Sequence, residues 1–193
     1  MSLLILGFPI QSLILFGIAI LLGYFFLSGF IWGAGYYPTP TKEIDSVVSL
    51  LELCPNSVFY DLGSGYGRMV ISISRKYRIK SVGVEVDPVK SFWTNLMIRR
   101  KKLQNLVSVV RSNMFDVDLS NADGVFIFLS SEGKIMEKLR GKMFREMKPG
   151  SRVVSFVHKF KDWEPDKIVR NLTLYKIPDI GEKGSKQQSG NEI

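Results

Sequence analysis

Residues 58–74 read VFYDLGSGYGRMVISIS. Val58, Phe59 and Tyr60 form a short β-rich run that ends in Asp61. Gly63, Gly65 and Gly67 then alternate with other residues. Met69, Val70, Ile73 and Tyr77 follow at the spacing of one helix face. Strand, glycine loop and helix therefore succeed one another within a few residues. Glycine permits backbone angles closed to other residues and close approach of a ligand to the main chain. In open α/β sheets ligands lie beyond the carboxyl ends of the strands, where this loop falls.

The residue types in and around the loop narrow the ligand. The spacing is G-x-G-x-G, whereas dinucleotide folds use G-x-G-x-x-G. Asp61 stands two residues before the first glycine, where a carboxylate suits a cationic ligand better than a pyrophosphate. Glu85 closes the next β-rich run, 24 residues after Asp61. That is about where an acid grips the ribose hydroxyls in nucleotide-binding βαβ units, and its two oxygens can accept both hydroxyl protons. No lysine follows the glycines in a phosphate-loop pattern, which argues against nucleotide hydrolysis. His158 is the only histidine and Cys54 the only cysteine. This excludes most zinc sites, a Ser-His-Asp triad and an internal disulfide, and no metal site is expected. Cys54 follows Leu51 and Leu53 and reads as a core residue.

Outward from the loop, strands alternate with helices. Ile44, Val47, Val48 and Leu51 predict a helix that Thr39 caps, with Pro40 in its first turn. Ser81–Val86 predicts a second strand. Pro88 opens a helix with Val89, Phe92, Trp93, Leu96 and Arg100 on one side, ending in the cations Arg99, Arg100, Lys101 and Lys102. Val107–Val110 and Gly124–Leu129 predict the third and fourth strands, residues 133–147 a helix, and Arg152–Val157 and Leu172–Ile177 two further strands. The order implies an α/β, Rossmann-like, mainly parallel sheet with helices on both faces. The division expected is an anchor at 1–35, a catalytic domain at 36–180 and a polar, disordered tail at 181–193.

Residues 1–41 contain no charged side chain, and Leu3–Trp32 is almost wholly apolar. A membrane span needs about 20 such residues, so one N-terminal transmembrane helix over residues 3–32 is expected. The net charge of +8 then falls entirely on the following residues. The positive-inside tendency places the domain in the cytoplasm, on a single-pass membrane protein. A basic surface suits nucleic acid, anionic lipid or an acidic protein, or serves only solubility.

The segments VFYDLGSGYGRMVISIS, SVGVEVDP and MKPGSRVVS resemble the seven-strand-type S-adenosylmethionine-dependent methyltransferases. YYPTPTKEI upstream is similar to the Y-x-P-T-P element of the small archaeal protein-lysine methyltransferases. Their membrane-anchored relatives, which methylate a lysine of the c-type ring protein of ATP synthase, share that element and a hydrophobic N-terminal segment. The resemblance implies S-adenosylmethionine as cofactor, with Asp61, Gly63, Ser64, Gly65 and Gly67 around its methionine side. It implies Glu85 on the ribose, Asn113 on the adenine amino group, and Tyr36 and Thr39 closing over the methionine end. Tyr36, Leu129 and Ser130 are the expected catalytic or acceptor-bordering residues. The expected substrate is a protein, and a membrane protein in particular. A lipid or apolar small molecule is the alternative acceptor, and a non-catalytic membrane component the alternative role. Two positions depart from the family pattern: Tyr66 stands where an acid is usual, and Phe128-Leu129-Ser130-Ser131-Glu132 differs from the archaeal enzymes. Nucleic acid is not expected as substrate, because no Asn/Asp-Pro-Pro-aromatic element follows the fourth strand.

Overall fold

The computed structural model describes residues 4–5, 8–31, 41–129 and 133–179. The chain divides into two units, Met1–Tyr36 and Tyr37–Ile193. In the first, Leu4–Ile5 (β1) pairs antiparallel with Phe8–Pro9 (β2), and Ile10–Ile31 forms a helix, α1. The ribbon takes the start of the apolar run out of the helix, which begins at Ile10, directly after Pro9. Among the described residues no helix is long and apolar enough to cross a membrane. The single transmembrane helix expected over residues 3–32 is corrected on that finding.

The second unit carries the sheet. After a 3-10 turn at Thr41–Glu43 come α2 (Ile44–Leu50), β3 (Val58–Leu62), α3 (Arg68–Tyr77) and β4 (Lys80–Glu85). Then come α4 (Pro88–Arg100), β5 (Val107–Arg111), β6 (Gly124–Ile127), α5 (Lys134–Glu146) and β7 (Arg152–Phe156). β8 (Lys167–Val169) and β9 (Leu172–Lys176) complete it. The strand order is β5-β4-β3-β6-β7-β9-β8. The five strands from β5 to β7 run parallel, and β9 and β8 add antiparallel pairs.

Alternation along the strands sorts the core into two layers. Phe59, Phe126, Val154, Phe156, Leu172 and Leu174 face α2, α3 and the buried Ile98 of α4. Leu62, Val125, Ile127, Val153 and Tyr175 face Met136, Leu139 and Met143 of α5. This is the period-2 pattern of a sheet covered on both sides. Cys54, expected in the core, is exposed; the Ser57 hydroxyl 3.3 Å from its sulfur holds the thiol below its usual range. β8 is absent from the sequence reading. It is three residues long and pairs only with β9, too short to show a period.

The helix α4 turns the side that carries Val89, Phe92 and Trp93 outward. Its buried residues are Lys90, Ser91, Thr94 and Ile98, while Phe92 is 71% exposed, Trp93 47% and Val89 42%. The polar side is drawn inward by bonds to the glycine loop and to β4.

Candidate functional site

β3 delivers Asp61 to the middle of the parallel sheet, paired with Gly83 of β4 and Phe126 of β6. The chain then turns: the N–H groups of Gly63 and Ser64 both donate to the Val84 carbonyl at 2.9 Å. Gly63, Gly65 and Gly67 have φ of +83°, +55° and +69°, the left-handed region that other residues enter only at a cost. Gly67 caps α3. The alternating glycines of the sequence are thus three left-handed residues in one bend.

Glu85 ties this bend to the next strand. Its Oε2 accepts the Gly65 N–H at 2.7 Å and its Oε1 the Asp87 N–H at 2.9 Å. A carboxylate offers about four acceptor positions, so each oxygen retains one. Asp61 is 4% exposed and accepts no hydrogen bond among the described residues. Burial, and secondarily the charge of Glu85, pushes its carboxyl up to about 8. A buried carboxyl held mostly neutral and without a partner is set to take a cation, whose arrival would favour the ionised form. The Ser64 Oγ is buried and has no hydrogen-bond partner among the described residues. Its side chain turns onto Gly83, where a Cβ would lie 2.7 Å from Ser64 Oγ.

α4 clamps the loop from outside. Asp87 caps this helix, accepting from the N–H groups of Val89 and Lys90, with Pro88 in its first turn. Ser91 donates to the Glu85 carbonyl at 3.2 Å. Thr94 is fully buried, with its hydroxyl 2.9 Å from the Lys90 carbonyl and 3.2 Å from that of Gly65. A Cβ at Gly67 would collide with Thr94 Cγ2. Gly67→Ala is therefore expected to cost about 3 kcal/mol, from the collision and the left-handed backbone together. Thr94→Ser removes Cγ2, so the double variant should recover about 1 kcal/mol relative to the sum of the single effects. Urea unfolding of the four proteins measures the coupling, and strict additivity would place the two residues out of contact.

Asn113 lies just past β5. Its Oδ1 accepts the Phe115 N–H at 3.0 Å, and the Ser112 N–H donates to the Glu85 carbonyl at 3.2 Å. It is thereby tied to the end of β4. Leu129, two residues beyond β6, is buried, and its Cδ2 lies 3.6 Å from a Cβ position at Gly63. Asp61, Gly63, Ser64, Gly65, Gly67, Glu85 and Leu129 are thus brought to one bend at the carboxyl ends of β3, β4 and β6. Tyr36, Thr39 and Ser130 lie outside the described residues. Thr94, Ser91 and Gly83 escape sequence reasoning. The acid–proline pair Asp87-Pro88 is a capping signal that points to the start of α4, but nothing local distinguishes Thr94 from a surface threonine. Among the described residues no group of His, Cys, Asp and Glu is arranged to hold a metal ion.

Residues 61–167 match the family described as ANTKMT methyltransferase domain. A protein-lysine N-methyltransferase of Saccharolobus islandicus strain REY15A is 32% identical over 147 residues, covering 72% of this chain and 90% of the relative. The adenine nucleotide translocase lysine N-methyltransferase of Mus musculus is 28% identical over 134 residues, covering 69% of this chain and 57% of that protein. The chain thus spans most of the archaeal relative and little more than half of the mouse one. Among solved structures, an RNA methyltransferase from Salinibacter ruber in complex with S-adenosyl-L-homocysteine superposes with a TM-score of 0.68. It is 31% identical, covering 74% of this chain and 95% of that one.

Proposed function

The chain belongs to the ANTKMT methyltransferase domain family and is an S-adenosylmethionine-dependent methyltransferase, and we propose that its acceptor is the side-chain nitrogen of a lysine in a protein. The observation that carries the site assignment is Asp61, a buried carboxyl that accepts no hydrogen bond among the described residues, beside three left-handed glycines. The cofactor is a nucleoside with cationic groups and no phosphate. Asp61 fits its ammonium, the glycines leave room for its chain, and the spare acceptor positions of Glu85 fit ribose hydroxyls. Asn113 is assigned to the adenine amino group, Tyr36 and Thr39 to closure over the methionine end, and Ser130 to the acceptor border with Leu129.

Bound there, the cofactor supplies a methyl group activated by its sulfonium. The protein then has two tasks. The first is to hold donor and acceptor in line, which the anchored glycine loop and Glu85 serve. The second is to receive the lysine in its neutral form. A free lysine has a reference pKa near 10.4, and apolar surroundings lower it by disfavouring the ammonium. Leu129, buried against Gly63, supplies such a wall. No side chain need act as general base if the lysine sheds its proton to water as it enters.

The protein acceptor is supported by the names of the archaeal and mouse relatives. The narrower reading, a lysine on a membrane protein, is supported by the absence of charge from residues 1–41. Incubating the full chain with methyl-labelled S-adenosylmethionine and separate protein, RNA and lipid fractions distinguishes the acceptors. Label is expected on lysine after acid hydrolysis of the protein fraction. Label confined to RNA or to lipid would overturn the lysine assignment.

A further inference from the structure

The outward face of α4 carries Val89, Phe92, Trp93 and Leu96 at i, i+3, i+4 and i+7, one stripe along the helix. Phe92 and Trp93 are more exposed than residues of their size in a folded domain ordinarily are. Val110 of the edge strand β5, which packs against α4, is also exposed. The stripe continues at the same spacing into Arg99 and Arg100, followed by Lys101 and Lys102. All four cations are exposed, and none has an acidic partner among the described residues. The helix C-terminus favours cations by its dipole, but that accounts for neither the number of cations nor the aromatic stripe leading to them. Burying Phe92 and Trp93 in the domain is also prevented, because Thr94, Ser91 and Lys90 hold the inward face through the contacts at Gly65, Glu85 and Asp87.

We propose that this face of α4 is a docking surface for an anionic lipid bilayer, on which Phe92 and Trp93 enter the headgroup boundary while Arg99, Arg100, Lys101 and Lys102 meet lipid phosphates. The stripe is a convex ridge, and such a ridge suits a yielding interface. Helices that lie at a bilayer surface combine an aromatic and aliphatic face with arginine and lysine, and indole rings favour the headgroup level. The cationic end matches the negative potential of anionic lipid. The inference concerns peripheral seating of the catalytic unit, involves no spanning segment, and is independent of which acceptor is methylated.

The test reads Trp93 as the difference between the full chain carrying Trp32→Phe and the same chain with Trp93→Phe added, both of which keep Trp163, on vesicles of brominated lipid that are either equimolar anionic and neutral or wholly neutral. Quenching of Trp93 on anionic vesicles is expected, lost in the added Trp93→Phe variant and weak on neutral vesicles. At saturating lipid, Arg99→Gln with Arg100→Gln should lower the ratio of seated to unseated helix about thirtyfold, at about fivefold per cation. Raising the salt should weaken quenching in the chain with both arginines intact, a control that does not depend on folding of the variant. Cofactor binding should be unchanged by these substitutions. Unquenched Trp93 on vesicles that carry the protein, equal quenching on neutral vesicles, or concentration-dependent burial of Trp93 without lipid would each overturn the proposal, the last in favour of a second copy of the chain.

Discussion

Asp61→Asn should lower S-adenosylmethionine affinity about a hundredfold, the scale of removing one partner from a buried, hydrogen-bonded charge pair. The same change should stabilise the free protein in mildly alkaline solution. The sign follows from linkage. Asp61 titrates at about 8 in the folded chain and near 3.9 when unfolded. Its folded pKa is raised, so its stabilising contribution is full below about pH 4 and is lost as pH climbs to about 8. Asparagine carries no charge and escapes that loss. At pH 8 the variant is expected to melt higher than the unaltered protein, by a margin that shrinks towards zero near pH 4. Calorimetry with the cofactor and thermal melts at the two pH values give both readings. A variant that binds normally, or that melts lower at pH 8, would remove Asp61 from the proposed role.

Glu85→Ala should also weaken cofactor binding by about a hundredfold, but with the opposite effect on stability. Its carboxylate accepts the N–H groups of Gly65 and Asp87, and alanine leaves both without that acceptor. An unsatisfied buried donor costs about 1–3 kcal/mol, so a loss of about 3 kcal/mol is expected. Loosening spreads in both directions, since Gly65 lies in the bend and Asp87 caps α4. Glu85→Gln retains one carbonyl acceptor but sets an NH2 group against the other N–H. It should fall between alanine and the unaltered protein in stability while binding almost as poorly as alanine. Urea unfolding separates the three. Two acids of one site that differ in the sign of their stability effect is a pattern that general disruption does not produce.

The bend itself is legible in the sequence because its chemistry is local. Asp61, the alternating glycines and the distance to Glu85 lie within one βαβ unit, and the sheet follows from strands alternating with helices. What escapes a sequence reading depends on contacts distant in the chain. The ordinary rule of hydrophobic burial turns the apolar side of α4 inward. The structure buries Lys90, Ser91 and Thr94 instead, because Thr94 must reach Gly65 and Asp87 must cap the helix. β8 is visible only once β9 is in place to pair with it. The place of Ser64 beneath the loop depends on residue 83 having no side chain, a contact that nothing local to the loop reveals. The apolar leader reads as one long helix, whereas Leu4–Ile5 pairs antiparallel with Phe8–Pro9 and the helix begins at Ile10.

The most direct measurement is the proton balance of S-adenosylmethionine binding, obtained by titration calorimetry at pH 7 in buffers of different ionisation enthalpy. A carboxyl titrating at about 8 is about nine-tenths protonated at pH 7 and must ionise to hold an ammonium. Binding should therefore release most of one proton, and the release should vanish in Asp61→Asn. Binding without proton release, or with the same release in Asp61→Asn, would contradict a cofactor site built on Asp61.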